Sequence, residues 1–281
     1  MTDSPSYFRV FLTFARNSLV RDMTFRANFV IECVSSLSWA LMNLGFYTLI
    51  FQYTTQIGKN SGWGRHEFFA FLGTTMIVNS LVQAFFMPNC EEFSELIRSG
   101  RLDFALLKPI DTQFLVSLHK IDWSSLANFV LGAGLVGWSL TALSLREVEP
   151  LRLGLAALVL YPVFLLCGVA ILYSVMIALS ATSIWLGRNQ TLYDFWFYIT
   201  NFSRYPMEIY AGPWGSWLRW IFTYLIPVLV VVNVPARLIA QPLHAENSWL
   251  AGVAVVATVG SLLASRWVFQ RALLSYRSAS S

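Results

Sequence analysis

Six stretches of the chain are apolar over enough length to cross a bilayer as helices, and charge is missing from most of their interiors. They run over about 28–52, 67–88, 123–144, 154–186, 216–236 and 249–268. A helical crossing takes about 20 mostly apolar residues. Cys33–Gly58, Phe68–Cys90, Trp123–Leu145 and Leu153–Gly187 contain no charged residue. An Arg or Asp at mid-bilayer costs about 2.5–3.5 kcal/mol, so charge is absent where it would be most expensive. The fourth run is about 50 Å long as a helix at 1.5 Å per residue, which predicts a tilted span or one that extends past the headgroups.

Two shorter patterns stand out from the apolar runs. Residues 1–27 precede the first span, and here Phe8, Phe11, Leu12, Ala15 and Leu19 follow helical spacing while Arg9, Thr13, Arg16 and Asn17 fall elsewhere on the wheel. That predicts an amphipathic helix lying in the headgroup layer, its arginines toward anionic lipid. Between the second and third spans, residues 89–117 form a charged loop with its own helix grammar. Asn89 is a suitable N-cap with Glu92 three residues on, and Glu91, Glu92 and Glu95 fill the first turns. Arg98 suits the last turn, and Gly100 a left-handed stop. Phe93, Leu96 and Ile97 make one apolar edge, and a second short piece, Leu102–Leu107, ends at Pro109. Three acids in one turn would be repelled by an anionic leaflet, so a protein partner suits this surface better than lipid.

Composition agrees with a membrane protein: 56% of the 281 residues are hydrophobic and only 12% charged, against about 25% charged in soluble proteins. The +4 net charge matters through its placement. With the N-terminus in the cytoplasm, fourteen Lys and Arg fall inside and five outside, and six spans put both termini on the cytoplasmic side. This basic balance speaks for topology and not for nucleic acid. No cleavable signal peptide is expected, because the first 27 residues carry four arginines and no short apolar core with a cleavage site. The three scattered cysteines suggest apolar fillers. His66, His119 and His244 sit near span ends on different sides and are poorly placed to share a metal. There is no phosphate-cradling G-x-x-x-x-G-K-[ST] motif.

Polar residues inside spans are the remaining candidates. Asn79, Ser80 and Gln83 lie on the second span, Thr223 and Tyr224 on the fifth, and Glu32 near the start of the first. Such groups either border a substrate pathway or bond neighbouring helices, and the sequence leaves both readings open. Glu32 reads as an interfacial acid, solvated or paired with Arg26. Ala133-x-x-x-Gly137 reads as a close helix contact. The aromatic stretch Tyr193–Pro206 reads as an interfacial connection, with a gate as the alternative.

These features together resemble the permease subunits of type-2 ABC (ATP-binding cassette) transporters, in an exporter-like branch. The motifs are Gly100-Arg-Leu-Asp-Phe-Ala-Leu-Leu-Lys-Pro109, Arg204-Tyr-Pro206, and Pro227 with Pro235-Ala236. The resemblance implies a single all-α membrane domain over 1–281: six transmembrane helices, an N-terminal interfacial amphipathic helix and a cytoplasmic coupling helix between spans two and three. It implies two cytosolic ATPase subunits and a second permease subunit, related or identical, in the inner membrane. ATP and Mg would be held by the partner and no cofactor by this chain. Glu91, Glu92, Phe93, Glu95, Leu96 and Arg98 would form the contact surface for the ATPase, shaped by Gly100, Asp103 and Pro109. The first, second and fifth spans would border the pathway of a hydrophobic or amphiphilic substrate. An ATP-independent carrier or channel and an intramembrane lipid-modifying enzyme stay open as alternatives.

Overall fold

The computed structural model describes residues 6–58, 61–147, 150–186, 197–198, 201–210, 212–241 and 249–276. Among these residues every regular element is helical. Eleven α-helices are numbered here in chain order. They are α1 (Tyr7–Thr24), α2 (Arg26–Tyr53), α3 (Arg65–Phe85), α4 (Met87–Arg98), α5 (Leu102–Leu106) and α6 (Thr112–Leu118). The others are α7 (Leu126–Ser144), α8 (Leu155–Leu186), α9 (Gly215–Trp220), α10 (Val228–Ala240) and α11 (Trp249–Ser275). A 3₁₀ turn, Met207–Tyr210, precedes α9, and a π-turn, Ile221–Leu225, follows it.

The core sits on α3, which packs against α7, α8 and α10, while α8 packs on α10 and α11. Small residues make these approaches possible, as expected where helices associate in lipid by close packing. A Cβ built on Gly73 would stand 2.8 Å from the Gly132 carbonyl oxygen of α7, and one on Gly168 of α8 would stand 2.7 Å from that of Val231. The close contact on α7 is thus at Gly132. Ala133 and Gly137, predicted to make it, are exposed, because each falls one residue past the positions that face α3, Gly132 and Val136. Helix α2 stands at the edge of the bundle and buries only Ala40 and Tyr47. Its exposed Val30, Ile31, Val34, Leu41, Met42, Phe46 and Leu49 give it a surface suited to acyl chains.

Helices α4, α5 and α6 define one end of the bundle, called basal here. The opposite, distal end carries the loop with Trp63. Helix α8 runs from distal to basal: Ala157 shares a buried cluster with Leu238 and Leu250, and the Tyr173 hydroxyl meets Ser117 of α6 at 2.9 Å. Helix α11 runs the same way, with Phe269 against Phe93 of α4 and Arg266 against Asp111.

That parallel course corrects the fifth predicted span. Residues 215–225 and 228–240 are two arms bent by 88° at Ile226–Pro227. The bend falls where Pro227 removes a backbone donor and the π-turn has already loosened the ladder. The chain arrives at the distal end before this pair, since Trp63 Nε1 donates to Glu208 at 2.8 Å and Glu208 pairs with Arg237. It also leaves there, since Gln241 Nε2 donates to the Ser61 carbonyl at 3.3 Å. The pair is therefore a re-entrant hairpin. The change from basal to distal end falls between Leu186 and Glu208, ahead of it. The predicted aromatic connection Tyr193–Pro206 lies in that interval, and its residues 193–196 and 199–200 are outside the described residues. Arg204 and Arg219 move to the distal side, and among the described residues the count is ten basal against six distal, which keeps its direction.

The second predicted span also changes. Helices α3 and α4 meet at a single residue, Phe86, and together make a 34-residue helical run, Arg65–Arg98, whose middle is apolar. The N-cap expected at Asn89 is absent: α4 starts at Met87 with Pro88 in its first turn, and no acid lies in that turn. Pro88 tolerates this because first-turn N–H groups have no intrahelical partner. Sequence patterning also missed α6, which Asp111 caps by accepting a hydrogen bond from Phe114 N at 2.9 Å.

Candidate functional site

The basal unit is built around Asn89. Its side chain is completely buried and donates to the carbonyls of Phe85 (2.8 Å) and Lys120 (2.7 Å) while accepting from Lys120 N (2.8 Å). The residue expected to begin α4 instead pins it to the linker between α6 and α7. Beside it Glu92 pairs with Lys120 and with His119, the latter at 3.2 Å. Burial pushes the His119 imidazole below its ordinary range, against the opposing pull of Glu92. One turn on, Phe93 is fully buried against Phe269 at 5.8 Å. Phe93 is thus no part of an exposed contact surface, and Glu92 is engaged within the chain.

The residues left facing outward are Glu91, Glu95 and Arg98, with a 2.9 Å bridge between the last two. Leu96 is half-buried. Gly100 turns the chain at φ +69°, a conformation that glycine adopts without a Cβ penalty. Asp103 lies in the first turn of α5, half-buried, and Pro109 is exposed in the turn before α6. Helix α5 adds side chains that sequence reading did not assign to the surface: Phe104 is 70% and Leu107 81% exposed, although Leu102 is fully buried. The signal was available. Leu102–Leu107 is apolar at five of six positions, and a helix that short can bury only one side of itself.

Asp111 ties this unit to the span helices. Arg266 of α11 grips its carboxylate at 2.5 and 3.1 Å, which holds the Asp111 carboxyl below the usual carboxylate range despite partial burial. A depressed folded-state pKa gives stabilisation that is present above the unfolded value and lost as pH falls through the folded one. Thermal unfolding in detergent between pH 3 and pH 7 should therefore show an acid-side loss of stability. Asp111→Asn should lower the melting temperature at pH 7 and flatten that acid slope.

A second feature lies higher in the bundle. A cleft of ≈ 220 Å³ opens between α2 and α3, lined by Trp39, Asn43, Tyr47, Asn79, Ser80, Gln83, Asn128, Arg204 and Tyr205, among others. The structure thus brings together three of the five pathway candidates. Asn79 and Gln83 are one turn apart, and buried Ser80 donates to the Ile77 carbonyl at 2.8 Å. Asn128, which sequence reading passed over, holds a buried Oδ1 without a hydrogen-bond partner. Thr223 and Tyr224 stand elsewhere. Thr223 is buried in the π-turn and Tyr224 stacks on Trp249 with ring centroids 6.4 Å apart. Glu32 is exposed and accepts from Asn28 Nδ2 at 2.6 Å.

A family profile described as ABC-2 family transporter protein matches residues 37–280. The chain belongs to that family. Searches of curated proteins and of solved structures gave no match. As an ABC-2-type permease subunit it is a multi-pass membrane protein of a class that associates with an ATP-binding-cassette partner and is typically not itself catalytic. Two places among the described residues combine polar and apolar side chains suited to a partner or a substrate: the basal tip, with its mixed charges and exposed Phe104 and Leu107, and the polar-lined cleft beside α2.

Proposed function

We propose that this ABC-2 permease subunit works in an ATP-driven exporter of a hydrophobic or amphiphilic substrate at the cytoplasmic membrane, with both termini cytoplasmic. Two permease subunits, related or identical, sit above two cytosolic ATPase subunits that hold ATP and Mg and hydrolyse the nucleotide. Helix α4 is the coupling helix. Glu91, Glu95 and Arg98 meet the ATPase, and Phe104 and Leu107 enlarge the contact. Asn79, Ser80 and Gln83 face the substrate.

The observation that carries this reading is the combination of an outward charged face and a fixed root on α4. Asn89 and Phe93 hold the helix on two sides, so a push on Glu91 or Glu95 moves α3 and α11 and is not absorbed locally. A partner shifts a conformational equilibrium only by its differential affinity for the two states, and a stiff handle delivers that difference to the spans as a rigid-body change.

Inside-out vesicles carrying the assembled complex test it. On addition of ATP and Mg they should accumulate a fluorescent amphiphile, and a non-hydrolysable ATP analogue should stop them. Equal accumulation without nucleotide would favour an ATP-independent carrier or channel. Conversion of lipid by the purified chain alone would favour an intramembrane enzyme.

A further inference from the structure

Helix α1 has three faces. Phe11, Phe14, Ala15, Ser18 and Asp22 turn toward the protein and are buried or half-buried. Next on the wheel is an exposed apolar stripe: Phe8 (69%), Leu12 (49%), Leu19 (40%) and Met23 (37%). Immediately beyond it come Arg9 and Arg16, both exposed. The acid of this helix, Asp22, is drawn inward, accepting from Arg21 at 3.0 Å and from Trp123 N at 3.4 Å. What remains outside is apolar, cationic or uncharged polar (Thr13, Asn17, Thr24), with no acid. Helix α2 leaves the end of α1 at Arg26 and is the span with the most exposed apolar length, so α1 lies where that span meets the membrane surface.

The inner face of α1 takes most of its hydrogen bonds from the linker between α6 and α7, and it also meets Asp111 before α6 and Phe85 of α3. Ile121 N donates to Ser18 Oγ at 3.0 Å, Trp123 Nε1 donates to the Ala15 carbonyl at 3.3 Å, and Arg21 donates to the Ile121 carbonyl at 3.3 Å. Tyr7 meets Phe114 edge-on at 4.9 Å. The same linker holds α4, through the paired bonds of Asn89 with Lys120 and the Lys120–Glu92 ion pair. The α1 contacts at Ile121 directly adjoin the α4 contacts at Lys120.

We propose that α1 is a docking surface for an anionic lipid leaflet and that its occupancy is relayed through residues 119–123 to α4, so that headgroup charge sets how firmly α4 is held. The stripe seats in the acyl boundary, and Arg9 and Arg16 reach the phosphates at its edge. Seating α1 orders Ser18 and Ala15 against the linker. The ordered linker presents Lys120 to Asn89 and Glu92. A zwitterionic leaflet leaves α1 with its apolar contact alone. The consequence for ATP coupling rests on the permease reading, but the relay itself does not.

The full chain in nanodiscs tests this without any ATPase. Phosphatidylcholine is compared with phosphatidylcholine containing phosphatidylglycerol, and amide hydrogen exchange is read at 119–123 and across α4. Anionic lipid should slow exchange at both segments by about threefold or more, of the order expected from two basic side chains near a charged surface. Arg9→Gln with Arg16→Gln should remove the slowing. Ser18→Ala should keep α1 protected in anionic discs while exchange at Ile121 and in α4 returns to its phosphatidylcholine rate. Equal exchange in both lipids overturns the proposal, as does slowing that survives loss of both arginines. Slowing that appears only when the ATPase is added, whatever the lipid, assigns the surface to a protein and overturns it too. ATP-independent transport would sink the permease reading and leave the exchange result standing.

Discussion

Reversing Glu91 and Glu95 together, to lysine, is expected to reduce transport-coupled ATP hydrolysis by at least about tenfold while the chain still inserts and folds, since like charges set against each other at an interface cost several kcal/mol. Both side chains are exposed and neither holds α4 in place. Glu95 has only a surface bridge to Arg98, and such bridges are worth at most about 1 kcal/mol. The thermal stability of the purified chain should therefore stay near wild type. Phe93→Ala should behave in the opposite way. It removes a fully buried ring from the contact with Phe269, where truncation costs about 3–5 kcal/mol, and should lower stability whether or not the ATPase is present. The pair separates a contact surface from its root. Wild-type coupling in the double lysine variant would show that the outward face of α4 meets nothing that matters.

The existence of a short helix ahead of Gly100 was legible in the sequence, but its packing was not. Helical spacing and Gly100 marked the helix and its stop, because local turn chemistry is written locally. The role of Asn89 was misread for the same reason. Polar residues at a helix start usually cap it, whereas Asn89 is bonded to Lys120, thirty-one residues away, and no local pattern encodes that partner. Phe93, Leu96 and Ile97 form an apolar edge in any register, and only α11 decides which of them is fully buried. The fifth span failed differently. Residues 216–236 have the length and hydropathy of a crossing helix, and a hairpin dipping in from one end satisfies the same composition. Pro227 and the π-turn distinguish the two, but proline is tolerated in membrane helices and so did not exclude a straight span. The pathway candidates were half legible. Asn79, Ser80 and Gln83 share a helix, so their grouping follows from spacing. Thr223 and Tyr224 could join them only if residues 216–236 crossed as one rod.

A stability effect as large as that of Phe93→Ala is expected at the distal latch that closes this hairpin. Arg237 is mostly buried and pairs with Glu208, its guanidinium 6.0 Å over the ring of Trp63, while Trp63 Nε1 donates to the same carboxylate. Trp63 is fully buried, so neither partner can turn to water without unpacking the loop between α2 and α3. Removing one member strands the other. Arg237→Leu leaves the Glu208 carboxylate with the indole alone, and Glu208→Leu leaves a guanidinium whose Nε already lacks a partner. Each single change should cost about 3–5 kcal/mol. The double change, Glu208→Leu with Arg237→Leu, should cost less than the sum of the two and can fall below either one, because no charge is then left buried and unpaired. Denaturation of all four proteins in mixed micelles, read by tryptophan fluorescence, gives the coupling term directly. A strongly negative coupling places Glu208 and Arg237 side by side in the working protein, which requires the 3₁₀ turn before α9 and the end of α10 to share the distal end. A straight fifth span would hold them at opposite faces of the membrane, and their effects would then simply add.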